Sequence, residues 1–295
     1  MPRYIEKAIA DPAGLRQIAN LPKTLPYNLR PSDALRMVED VNEMLHEVNC
    51  RLHGLGYDRL EELLDSAGFS GLVSRSVVDR LGRLSKALVP NSYHNGYPDL
   101  LPKGVYPGDA IQHGKQGGLE VKASRYDSGW QAHGPRAGWF CVVQFALDRR
   151  ADVALQDREP TKFLAVHVAE LEEADWSWQP AAAGKIRSGT ASIKSTGEVK
   201  LRRGSVWVDP SYERDHELRL KAALLKNLAI GFDDMVHQAL LELATTVDAN
   251  LVAAHIAKAV GLDPSDIIGR IKSSLARLVR VGRATRPKRG QFLHS

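Results

Sequence analysis

The sequence predicts an α/β chain: a helical front, a mixed central sheet flanked by helices, and a small basic helical module at the end. Three observations carry that prediction. Apolar residues recur at helical spacing before residue 90 and again after 210. Between them lie short apolar runs, of which Trp139–Leu147 (WFCVVQFAL) is nearly continuous, as in a strand buried on both faces. The stretch from Arg270 to Ser295 holds eight basic residues and no Asp or Glu.

The 295 residues are 43% hydrophobic and 25% charged, enough for a sizeable core and unlike a disordered chain. Cys50 and Cys141 lie far apart and make neither a disulfide framework nor a thiolate zinc site, so a reducing cytoplasm is expected. Met1 to Ala10 has no apolar signal core, and no run is long enough to span a bilayer. The net charge is +5. The eight basic residues at the end exceed it, so the remainder is slightly acidic and the positive field sits in one module.

Pro2, Pro12, Pro22, Pro26 and Pro31 make residues 1–31 turn-rich. Ser32 reads as a helix N-cap before Leu35, Val38, Val41, Leu45 and Val48. A second helix is expected at Asp58–Ala67 and a third from Ser70 to Leu88. Asn91–Gly118 is dense in Gly, Pro, Tyr and His. Strands are expected at Leu119–Ala123, Trp139–Leu147, Phe163–Val168, Thr190–Ser195 and Ser205–Val208, with a short one at Ala110-Ile111. Helices follow at Glu213–Ile230, Asp233–Thr246, Leu251–Val260 and 264–281. Gly261 stops the third of these, Asp263-Pro264 starts the fourth, and Gly282 ends it. Arg283–His294 reads as two short strands around a Pro-Lys-Arg-Gly turn.

Chemistry gathers where the strands begin. Pro98-Asp99 precedes Glu120-Val121-Lys122 by twenty intervening residues. In a strand, residues 120 and 122 point to one face. Two carboxylates can hold Mg²⁺, which polarises a phosphate and acidifies a water, and a lysine beside them can orient that water. Asp109, after Gly108, competes with Asp99 as the first acid or serves as a second metal ligand. Glu198-Val199-Lys200 repeats the short motif but has no Pro-Asp upstream, and it reads as a solvated hairpin. His113, Gln131 and His133 match no common zinc spacing.

The segment Tyr93 to Leu147 resembles the PD-(D/E)xK nuclease superfamily, and in particular its restriction-endonuclease-like members. The resemblance implies a mixed sheet flanked by helices and Mg²⁺-dependent DNA cleavage, with Mn²⁺ as a substitute. It implies that Asp99, Glu120 and Lys122 are catalytic and that Gln144 is an accessory polar residue. Arg125, Gln131 and His133 leave the catalytic strand and suit phosphate or base contacts. A surface loop packed by Trp130 is the alternative.

The final helices and basic hairpin resemble a winged helix-turn-helix. Asp266, Arg270, Ser273 and Arg277 form one stripe for a groove, and Arg283, Arg286, Lys288 and Arg289 would meet phosphates. The division expected is a helical part at 1–90, the catalytic core at 91–212, a connecting helix at 213–231 and the winged helix at 232–295. The expected function is a restriction-type endonuclease acting on double-stranded DNA as a homodimer. The rivals are a winged-helix transcription regulator without nuclease activity and a repair or transposition nuclease of the same fold.

Overall fold

In a computed structural model of the chain, Pro31 opens the first long helix, α1 (Pro31–Gly54). The structure describes residues 2–16, 25–132, 134–180, 189–228, 231–243 and 245–294. Proline is tolerated at the first helical position because its missing N–H would have no partner there. The Asp33 carboxylate reaches back to the Arg30 N–H at 2.8 Å, so the helix starts ahead of Ser32 rather than being capped by it. Met37, Val38, Val41 and Leu45 make its buried stripe.

The second expected helix is one turn, α2 (Leu60–Leu63). Asp65 ends it by capping the next helix, accepting the Gly68 N–H at 2.6 Å. That helix, α3 (Ser66–Leu84), therefore begins four residues before Ser70 and buries Phe69, Val73, Val77 and Leu81. It stops short of Leu88 because the Ser85 hydroxyl takes the N–H groups of Ala87 and Leu88.

Strands follow as β1 (Leu88–Pro90), β2 (Leu100–Pro102), β3 (Leu119–Ser124), β4 (Gln131–Ala132), β5 (Gly138–Ala146), β6 (Lys162–Leu171), β7 (Trp176–Gln179) and β8 (Thr190–Ile193). Then come α4 (Ser195–Arg203), β9 (Ser205–Val208) and α5 (Glu213–Asn227). Ala110-Ile111 is not a strand. Asp109 closes a 3-10 turn with a left-handed φ of 51° instead. The Glu198-Val199-Lys200 motif lies on α4, not on a hairpin, so its acid and lysine point to different sides. β1, β2, β4 and β7 have two to four residues each, too short to show a period of two.

Six strands form a mixed sheet in the order β1-β2-β3-β5-β6-β9, with β3 and β5 parallel and the other pairs antiparallel. Val121, Cys141, Val143 and Val166 share a core with Met37, Val41, Phe69 and Val77 of α1 and α3. On the other face, Phe140, Val142 and Ala169 pack against Trp130, Trp176 and Leu201, beneath the small antiparallel sheet β4-β8-β7 and α4.

The chain divides into two compact units, Met1–Leu220 and Lys221–Ser295. The division falls inside the expected connecting helix, because Leu225 and Leu228 pack with the core of the second unit. That unit holds α6 (Phe232–Leu243), β10 (Val247–Asp248), α7 (Ala249–Val260), α8 (Pro264–Arg280), β11 (Ala284–Thr285) and β12 (Gln291–His294). Gly261 ends α7 in the left-handed region at φ 74°, and Asp263 with Pro264 starts α8. The three strands pair antiparallel in the order β10-β12-β11.

Candidate active site

β3 pairs with β2 through a single residue, Leu119 opposite Leu100. Past it the strands part, and side chains replace the ladder. The Asp99 Oδ2 atom accepts the Val121 N–H at 2.9 Å. The Ser74 hydroxyl of α3 accepts the Ala123 N–H at 2.9 Å. Gly118 makes the close approach possible. With φ at +130°, a Cβ there would lie 2.2 Å from Pro98 Cγ. Asn91, 3% exposed, braces the same turn by donating to the carbonyls of Pro98 and Ile111 at 3.0 and 2.8 Å. Nothing in its sequence context marked Asn91.

Alternation along β3 puts Glu120 and Lys122 on one face, as expected. The Lys122 ammonium donates to Glu120 Oε1 at 2.6 Å. Glu120 is 8% exposed, and its Oε2 atom is buried without a hydrogen-bond partner among the described residues. Burial, and after it the charge of Glu120, pushes the Asp99 carboxyl up to about 7. The structure brings Asp99 to Glu120. Asp109 ends the 3-10 turn Pro107–Asp109, where its carbonyl accepts the N–H and the hydroxyl of Ser92. Mg²⁺ takes one or two protein carboxylates and keeps several waters. Two adjoining carboxyl groups, one with an unpartnered buried oxygen and the other held partly protonated, fit such an ion.

Two cavities flank the acids along α3. One, of about 540 Å³, is lined by Lys122, Ser124, Arg125, Gln131, Ser66 and Ser70 among others. The other, of about 400 Å³, is lined by Asp99, Ser74, Arg75 and His94 among others. Arg125 stacks on Tyr126 at 5.1 Å and Gln131 is exposed on β4. His133 lies outside the described residues.

Gln144 is fully buried and shares the face of Glu120 and Lys122, but its amide is committed elsewhere. It donates to Asp127 Oδ1 and to the Tyr212 hydroxyl, each at 2.9 Å. Asp127 belongs to the loop leaving β3, and its other oxygen accepts Arg219 at 2.9 Å. Arg202, buried on α4, donates to the Asp127 carbonyl and to Glu198. Beside Gln144, His167 and His216 share the Ser205 hydroxyl, each at 2.8 Å. Burial holds His167 well below its ordinary value and His216 down at about 4, so both are neutral.

In the second unit the expected stripe on α8 lines an open cavity, with Ser273 and Arg277 exposed, and three of its residues have partners within the unit. Arg270 donates to the Leu225 carbonyl at 3.0 Å and stacks on Phe232. Arg277 makes a two-pronged bond to Asp233 at 2.6 and 2.8 Å, and Asp266 pairs with Lys221. Arg283 pairs with Asp234 at 2.7 Å. Arg286 stacks on Phe292, while Lys288 and Arg289 are exposed at the turn. Lys272, Ala276 and Arg280 are exposed on the neighbouring stripe of α8.

No protein-family model matches the chain, and no curated protein matches it either.

Proposed function

We propose that the first unit is a metal-dependent nuclease of restriction type and that the second is a winged-helix module binding double-stranded DNA. The observation that carries the nuclease reading is the Asp99–Glu120 pair, with its buried unpartnered Glu120 Oε2 and Lys122 held at 2.6 Å. Asp99 and Glu120 would hold Mg²⁺, which supplies positive charge against the phosphate and lowers the pKa of a water. Lys122 then orients the attacking water and faces the developing charge. Water adds to phosphorus, the P–O3′ bond breaks, and O3′ takes a proton, leaving 5′-phosphate and 3′-hydroxyl ends. Val121, in the core behind the two, and the Asp99–Val121 bond keep the acids from swinging apart.

Three helices and a three-stranded sheet with an exposed basic turn support the DNA-binding role of the second unit. One site per chain and two strands to cut favour a homodimer on DNA. Incubating supercoiled plasmid with the full chain and Mg²⁺ tests the reading. Cleavage lost in Glu120→Ala and in Lys122→Ala supports it. DNA binding without cleavage at any divalent metal would leave the regulator reading instead. Light scattering with and without DNA tests the dimer.

A further inference from the structure

A third cavity, of about 720 Å³, lies at the other end of the β3–β5 pair from the Lys122–Arg125 cavity. Its volume suits a small organic group rather than a lone ion. Tyr27, Tyr97 and Trp139 give it aromatic walls, His113 a ring with polar edges, Lys115 and Arg136 cations, and Glu170 and Glu173 carboxylates. It adjoins the acids. Tyr97 and Pro98 lead into Asp99, and Trp139 precedes Phe140, the strand partner of Glu120.

The walls are fixed in advance. The Tyr27 hydroxyl is bonded to both the N–H and the carbonyl of Gly118. The Tyr97 hydroxyl donates to the Ala137 carbonyl at 3.2 Å, and the Trp176 indole donates to the Arg136 carbonyl at 2.9 Å. These two bonds hold the short segment bearing Arg136 from both sides. The Arg136 guanidinium lies over Tyr97, 4.0 Å from the ring centre. A guanidinium stacked in this way offers a plane for an aromatic ring and edge donors for that ring's acceptors. A planar heterocycle that carries edge donors as well as acceptors and is joined to a phosphate matches the mixture of aromatic faces, cations and carboxylates. An ion would not use the aromatic walls, and an aliphatic chain would not use the cations.

We infer that this cavity receives one unstacked nucleobase of the nucleic-acid strand whose phosphate lies at Asp99 and Glu120. The inference rests on the nuclease reading for its substrate and deepens it. The enzyme would take a nucleotide out of the stack next to the bond it cuts, and unpaired or easily unstacked sites would be favoured. Aromatic stacking contributes about 1–3 kcal/mol per base, so removing the base should cost about tenfold or more in affinity.

The test uses the full chain in EDTA, which separates binding from cleavage. Fluorescence anisotropy compares a labelled single-stranded thymidine oligonucleotide with a strand of equal length and charge whose sites are abasic. The wild type should prefer the base-bearing strand by about tenfold or more. Arg136→Met and His113→Ala, at half-exposed and exposed positions, should bring the ratio to within about twofold. A strand carrying 5-iodouracil should photo-crosslink to Tyr97, Trp139 or Tyr27, read by mass spectrometry. An equal affinity for both strands, a ratio unmoved by both variants, or crosslinks confined to other peptides would overturn the inference. A base preference that depends on Arg136, in a protein that cleaves no DNA with any metal, would keep this cavity and remove the nuclease reading.

Discussion

The Asp99 carboxylate accepts the main-chain N–H of Val121, the residue between Glu120 and Lys122. One hydrogen bond thus ties the first acid to the strand that carries the second. It fills the place of a ladder bond that β2 no longer supplies past Leu100. The price of this closeness is electrostatic, since Asp99 is buried beside another carboxylate.

Asp99→Asn should abolish Mg²⁺-dependent cleavage and yet stabilise the metal-free protein at pH 8. An asparagine oxygen can keep the Val121 bond while the like charge is gone. The sign follows from the raised pKa. Between the ordinary carboxyl value near 4 and about 7, the folded state binds the extra proton, so Asp99 makes stability fall as pH rises through that window. The gain in melting temperature from the substitution should therefore be larger at pH 8 than at pH 5. A loss at pH 8 would show that the pair is not strained. For the same reason, divalent-ion affinity should rise from pH 6 to pH 8 in the wild type and not in the variant.

Glu198→Ala should destabilise the first unit strongly without any role in chemistry. Glu198 accepts Arg202 at 2.9 Å, and the Arg202 side chain is fully buried, with Nη1 already lacking a partner among the described residues. Removing one partner of a buried pair costs about 3–5 kcal/mol. Urea denaturation measures this, and a shift of under about 1 kcal/mol would contradict the burial of that pair.

Gln144→Ala should lower both stability and cleavage without abolishing either. Asp127 and Tyr212 each lose a buried donor, at about 1–3 kcal/mol in total, and the loop bearing Arg125 and Trp130 loosens. A cleavage rate reduced about ten- to a hundredfold fits a positioning residue. A loss as complete as that of Glu120→Ala would mean that Gln144 touches the reacting groups.

Lys272→Ala with Arg280→Ala should weaken DNA binding and reduce the log–log salt slope by about two, one for each cation that no longer meets a phosphate. The melting temperature should hold, since neither side chain belongs to the core of the unit. Arg277→Ala should do the reverse, changing stability more than affinity. Its bond to Asp233 holds that carboxyl down at about 2, so the stability it contributes is present above about 4 and lost as pH falls towards 2. Half-exposed as the pair is, the effect should stay under about 1 kcal/mol. Arg277→Ala should flatten the acid limb of a thermal stability profile, whereas an unchanged limb would place the depressed pKa elsewhere.

Local rules determined much of this protein from the sequence by itself. A period of two placed Glu120 and Lys122 on one face, and the apolar run at Trp139 identified the strand beside them. Gly261, Asp263-Pro264 and Gly282 bounded α8 because capping depends on a few adjacent residues. What those rules missed depended on residues far apart in the chain. Asp99 meets Glu120 because Gly118 lets Pro98 against β3 and Asn91 braces the turn. Gln144 has the right face but serves Asp127 and Tyr212, one of them 68 residues away. Arg270 and Arg277 sit on a stripe that reads as unpartnered in the sequence, and residues of α5 and α6 accept hydrogen bonds from them. Periodicity fixes which residues share a face. Only packing decides what that face meets, because hydrogen bonds and ion pairs form with whatever the rest of the chain brings within about 3 Å.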